Sequence, residues 1–222
     1  MGPTVSIPEL VIFDCDGVLV DSEPITNRLI VDNLGRHGLE ITIADCMAMF
    51  VGGTIAAVGD KAREMGATIP DTWVDDLYAE MYETLQRGVD PVPGIIDVLD
   101  ALDAANLPYC VASNGSPEKM AITLGGTGLL PRLEGRLFSA HEVGIAKPEP
   151  GLFLHAARIL GTIPEKCVVV EDSASGARAA FAAGMRCLGY AADTPAEKLR
   201  GENAEIFTDM DQLPELIGLG RN

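Results

Sequence analysis

LVIFDCDGVLVDSEP, residues 10–24, joins an apolar run to two aspartates, Asp14 and Asp16. The run shows no polar alternation, which is the pattern of a strand buried on both faces of a parallel sheet. Pleating then sends Asp14 and Asp16 to one side of the strand end and Cys15 to the other, and Gly17 permits a turn directly afterwards. Neighbouring carboxylates resist ionising together. A bound cation, or a proton kept on one of them, would relieve the repulsion. In open α/β sheets ligands bind beyond the carboxyl ends of the strands, so this pair is expected at a site.

Five more runs read the same way: PYCVAS (108–113), RLFSA (136–140), KCVVVED (166–172), RCLGYA (186–191) and EIFTD (205–209). Helical patterns separate them. Ile95, Val98, Leu99 and Leu102 repeat at i, i+3, i+4, i+7, one face of an amphipathic helix. Capping residues or early prolines at Ser116-Pro117, Pro150-Gly151, Ser173 to Ser175 and Thr194-Pro195 mark helix starts. Gly125, Gly161, Gly184 and Gly201 mark ends. The alternation predicts an α/β fold, a Rossmann-like doubly wound parallel sheet. Glu23 to Asp90 breaks the rhythm, with helical stripes (Val74, Leu77, Met81, Leu85; Ile55, Val58, Ala62) and no strand. The expected organisation is a core of residues 1–22 and 92–222 with an all-helical insertion, 23–91, flexing at 17–23 and 88–93.

A formal charge of −17 over 222 residues argues against nucleic acid or an anionic membrane as partner. It also means that a phosphorylated ligand would need local positive charge or a metal. Cys15, Cys46, Cys110, Cys167 and Cys187 contain no CxxC and fall mostly in or beside apolar segments, as buried thiols of a reducing compartment do. No apolar stretch reaches membrane-spanning length, and the N-terminus lacks a signal-peptide layout. Met1-Gly2-x-x-x-Ser6 matches a myristoylation pattern, but Pro3 and the lack of adjacent basic residues make the match fortuitous. A cytoplasmic monomer or homodimer is expected.

Three other predicted strand ends carry matching chemistry. Ser113 in VASNG lies near a helix start, a ready anion site. Lys147 in AKPEP precedes a proline, and Glu171 and Asp172 in VVVEDS precede a helix. Carboxylates, an ammonium and a hydroxyl at one sheet edge are what Mg²⁺-assisted phosphoryl transfer requires. His37, His141 and His155 have no metal-ligand spacing, and GGTG (125–128) follows a helix rather than a strand.

Together DCDGV, SN, KP and ED resemble, in order and spacing, the four motifs of the haloacid dehalogenase superfamily, in its subfamily with a helical cap inserted after the first motif. The resemblance spans nearly the whole chain. It implies that Asp14 is the nucleophile, forming an aspartyl-phosphate, and that Asp16 protonates the leaving oxygen and then deprotonates water. It implies that Ser113, the Asn114 amide and Lys147 hold the phosphoryl oxygens. Mg²⁺ would be ligated by Asp14, the Asp16 carbonyl and Asp172, with Glu171 as ligand or next to one. An aspartate at position 16 points to phosphate esters rather than carbon–halogen bonds. Mutases resembling β-phosphoglucomutase carry a cap histidine where Thr26 stands and an arginine where Ile55 stands, so a phosphatase is favoured. The sequence most resembles bacterial phosphatases of small sugar and sugar-acid phosphates, including the 6-phosphogluconate phosphatase type. Cap residues Glu23, Asn27 and Gly52 to Thr54 would then face the substrate, and Arg28 and Lys61 read as solvated. Loss of catalysis would leave a sugar-phosphate binding protein on the same scaffold, a class disfavoured by the presence of every catalytic position.

Overall fold

Each apolar run becomes a strand in the computed structural model, which describes residues 6–50 and 55–220. The strands are β1 (Leu10–Phe13), β2 (Tyr109–Ser113), β3 (Leu137–Ser139), β4 (Cys167–Glu171), β5 (Arg186–Tyr190) and β6 (Glu205–Phe207). They form one parallel sheet in the order β3-β2-β1-β4-β5-β6. The chain grows outward from β1 in one direction, through β2 and β3, then returns to β1's other edge with β4. That reversal opens a crevice at the carboxyl ends of β1, β2 and β4, the standard ligand position of such sheets.

Helices α1 (Glu23–Arg36), α2 (Ile43–Phe50), α3 (Ile55–Glu64) and α4 (Trp73–Gln86) follow β1. Between the later strands and after them come α5 (Ile95–Ala104), α6 (Pro117–Gly126), α7 (Ala140–Val143), α8 (Gly151–Ile159), α9 (Ala174–Ala182), α10 (Ala196–Arg200) and α11 (Leu213–Leu216). Leu10, Ile12, Cys110, Ala112 and Val169 share a buried cluster with Leu152, Phe153 and Ala156 of α8 and Ala177 and Ala180 of α9. Small alanine side chains on α9 let that helix lie close to the sheet, which fixes the position of the β4–α9 turn. All five cysteines are buried and unpaired. Among the described residues no helix is long and apolar enough to cross a membrane.

The chain divides into two compact units, Met1–Asp21 with Asp90–Asn222, and Ser22–Val89. In the first, the outgoing and returning segments run side by side. Asp21 N–H donates to the Asp90 carbonyl (2.9 Å) and Val92 N–H to the Leu19 carbonyl (3.0 Å). The second unit is helical throughout its described residues. Trp73, rather than Val74, leads the buried face of α4 with Leu77, Met81 and Leu85, because the larger ring gains more from burial. The helix before GGTG also ends later than expected: Gly125 lies inside α6, and the left-handed residue is Gly128.

Buried Asn33 knits the helical unit together. Its Oδ1 accepts from Trp73 Nε1 (2.7 Å) and its Nδ2 donates to Glu80 Oε2 (2.9 Å), while Arg36 donates to Glu80 at 2.6 Å. Partial burial raises the Glu80 pKa, but the bonds from Asn33 and Arg36 outweigh it and hold the carboxyl below its ordinary value. A depressed carboxylate contributes stability above its unfolded pKa, and that contribution fades as pH falls through the folded value. Glu80→Gln is therefore expected to cost about 1 kcal/mol at neutral pH. Urea unfolding should show the wild-type advantage shrinking towards zero in acid.

Candidate active site

The end of β1 is tied to the sheet by Asp14 N–H, which donates to the Val170 carbonyl (2.9 Å). The chain then turns tightly: Leu19 and Val20 N–H both donate to the Cys15 carbonyl. Gly17 takes a left-handed φ of 75° there, and a Cβ at that position would overlap the Asp172 carboxylate. Glycine thus serves the turn and the close approach of two strand ends. Gly17→Ala is expected to push Asp172 aside and weaken Mg²⁺ binding about 10-fold or more, measured by calorimetry.

Ser113 closes β2 and is buried, its Oγ accepting from Gly115 N–H at 2.9 Å. Ser139, at the end of β3, donates its hydroxyl to the Gly115 carbonyl (2.7 Å). The Asn114 carboxamide makes a paired contact with the backbone of Lys147: Oδ1 accepts from its N–H (2.9 Å) and Nδ2 donates to its carbonyl (3.1 Å). Three loops are therefore cross-braced around the point where Lys147 enters.

Lys147 Nζ lies 2.6 Å from Asp14 Oδ1 and 2.5 Å from Glu171 Oε1, and its side chain is only 3 % exposed. Burial disfavours the ammonium, but Asp14 and Glu171 outweigh that and hold it well above the ordinary lysine range. Burial pushes Asp14 up to about 7, with Lys147 pulling down and Glu171 and Asp16 pushing further up. The other Glu171 oxygen accepts from Ser173 N–H (3.0 Å) and Oγ (2.8 Å). Both Glu171 oxygens are thus engaged by protein donors. Asp16 is held separately: Lys119 Nζ sits 2.7 Å from its Oδ2. The repulsion between Asp14 and Asp16 is relieved in a third way beyond the two inferred from sequence, by one lysine for each carboxylate.

Lys119 is not among the residues to which the sequence assigns a site role. It stands in the first turn of α6, where a lysine ordinarily reads as solvated. The available signal was Ser116-Pro117, a start that places residue 119 one turn beneath the β2 end; Ser116 Oγ caps Lys119 N–H at 3.1 Å.

Asp14, Glu171 and Asp172 each place a carboxylate oxygen within 4.8 Å of the others. Three hard oxygen donors at that spacing suit Mg²⁺, which usually takes one or two carboxylates and keeps positions for water or phosphate. Of the histidines, His37 meets the Thr68 carbonyl within the helical unit, and His155 meets Phe138 and Arg158. Among the other predicted site residues, Glu23 opens α1 in the helical unit. Asn27, in the same helix, meets the Cys46 thiol through its carbonyl groups. Arg28 and Lys61 are exposed, Lys61 pairing with Glu64. Gly52 and Thr54, with Gly53, lie outside the described residues.

The family profile of haloacid dehalogenase-like hydrolases matches residues 8–184. The 6-phosphogluconate phosphatase of Escherichia coli K12 is 33% identical over 210 residues, 94% of each chain. Hexitol phosphatase A of the same organism is 32% identical over 187 residues, 83% of this chain and 84% of that one. The crystal structure of a HAD family hydrolase from Deinococcus radiodurans R1, with bound phosphate and sodium, matches with a TM-score of 0.84 and 29% identity. The match covers 96% of this chain and 98% of that one.

Proposed function

The chain belongs to the haloacid dehalogenase-like hydrolases, and from that membership we propose that it is a Mg²⁺-dependent phosphatase of small sugar phosphates or sugar-acid phosphates. The observation that carries this reading is the separation of two neighbouring aspartates onto different lysines. In this reading one attacks and the other exchanges a proton, each beside its own ammonium.

In this reading the substrate complex carries a proton on Asp16; Asp14 attacks phosphorus as the bond to the leaving oxygen breaks, and Asp16 gives that oxygen the proton. An aspartyl-phosphate results. Asp16 then takes a proton from water as the water attacks the same phosphorus, which frees phosphate and restores Asp14. Lys147, Ser113 and the Asn114 amide hold the phosphoryl oxygens, and Lys147 offsets charge that would otherwise repel a dianion. Asp14, Asp172 and the Asp16 carbonyl would hold Mg²⁺. Glu171 serves beside them by fixing Lys147, since its oxygens already have donors. Bound there, the cation neutralises carboxylate and phosphate charge.

The helical unit serves substrate choice in this reading, with Glu23 as its substrate-recognising residue among the described ones. The sugar-phosphate class is supported by relatives whose names specify 6-phosphogluconate and hexitol phosphates. Hydrolysis rather than phosphate migration is supported by Thr26 and Ile55, neither of which can supply a mutase's histidine or arginine. A phosphate-release screen over sugar phosphates, sugar-acid phosphates and nucleotides with Mg²⁺ tests the reading. Sugar-type esters are expected to lead and chelator to abolish turnover. Conversion of β-glucose 1-phosphate to glucose 6-phosphate without free phosphate would overturn it.

A further inference from the structure

Lys119 itself takes no step in the chemistry above, although its partner Asp16 does. The pair bridges 103 residues of chain at 2.7 Å, with side chains 18 % and 27 % exposed, and so is largely shielded from solvent. Its geometry is built in. The Ser116 cap fixes the first turn of α6, Thr123 Oγ1 donates to the Lys119 carbonyl (3.0 Å), and a Cβ on Gly115 would lie 3.8 Å from both Lys119 Cδ and Asp16 Oδ2. Lys147 is already committed to Asp14 and Glu171.

Asp16 stands two residues from Asp14, yet the carboxylates gathered within 4.8 Å are those of Asp14, Glu171 and Asp172. With every carboxyl ionised, Asp14, Asp16, Glu171 and Asp172 bring four negative charges, and Lys119 and Lys147 return two positive ones. A divalent cation balances the remainder. A nearby carboxylate free to swing can compete with water or phosphate for one of the cation's remaining positions, and a carboxylate bound to metal is withdrawn from proton exchange. We propose that Lys119 is a positioning residue that holds the Asp16 carboxylate out of the cation's ligand set and keeps it facing the leaving oxygen. This inference rests on the phosphatase reading for its catalytic consequence, while the placement of Asp16 is measurable without turnover.

The experiment uses the full chain with Lys119→Met and Lys119→Arg, and Lys119→Gln in place of Met should that variant not fold. Calorimetry with Mg²⁺ alone is expected to show about 10-fold tighter binding for Lys119→Met, because Asp16 joins the metal. In an Asp16→Asn background the same substitution should gain little. With glucose 6-phosphate, kcat should fall about 100-fold, and less with p-nitrophenyl phosphate, whose leaving oxygen needs little protonation. Arginine should restore both properties towards wild type. Unchanged Mg²⁺ affinity in Lys119→Met, an equal gain in the Asp16→Asn background, or equal slowing on both esters would overturn the proposal. Failure of the wild type to hydrolyse either ester would instead count against the phosphatase reading, and the calorimetric cycle would still decide where Lys119 holds Asp16.

Discussion

Asp14→Asn is expected to lower kcat by about 10⁴- to 10⁶-fold, because the amide removes the attacking oxyanion while leaving the fold in place. The position is fixed by the sheet, through Asp14 N–H on Val170, so the substitution changes chemistry rather than geometry. Melting should be unchanged or slightly higher, since a carboxylate that burial already destabilises as an anion is gone. Mass spectrometry of acid-quenched reactions should find phosphate on the wild-type protein and none on the variant. A variant retaining about a tenth of wild-type turnover would exclude Asp14 as the nucleophile.

Lys147→Met strikes at stability as well as catalysis. The ammonium stands between Asp14 and Glu171, and among the described residues Glu171 has no other cationic partner, its remaining donors being the Ser173 N–H and hydroxyl. Removing one partner of a buried ionic group costs about 3–5 kcal/mol, since the carboxylates left behind lack a counter-charge. Mg²⁺ should recover part of that loss by supplying positive charge to Asp14. Urea unfolding with and without Mg²⁺ measures both. A loss under about 1 kcal/mol would show that the pair is solvated rather than buried.

The fold was legible because buried parallel strands announce themselves by composition. KCVVVED and LVIFD contain no alternation to misread, and all six such runs entered the sheet. The strand-end residues were legible for a related reason. Once a strand is placed, its last residue is placed too, so Asp14, Ser113, Glu171 and Asp172 followed. Interactions between loops were not legible. The Asn114 carboxamide on Lys147, Ser139 on Gly115 and Lys119 on Asp16 depend on how segments far apart in sequence meet. Helix ends shifted where local signals competed: Gly125 and Gly128 are both plausible stops, and tertiary contacts of Leu124 and Leu129 carry α6 past the first.

β1 occupies the middle of the sheet, yet both its partners are made much later than it is: Val11 pairs with Tyr109, and Leu10 with Cys167. While the chain is being synthesised, the strand leading to Asp14 has two unsatisfied edges until residues 109–113 emerge and one until residues 167–171 do. Pairing across such distances slows folding and prolongs exposure of apolar segments. The helical stretch Ser22–Val89, contiguous in sequence, can fold in the interval. A nascent or truncated chain that stops before β4 therefore has Asp14 but neither Glu171 nor Asp172, and the cluster of three carboxylates cannot assemble until β4 is made.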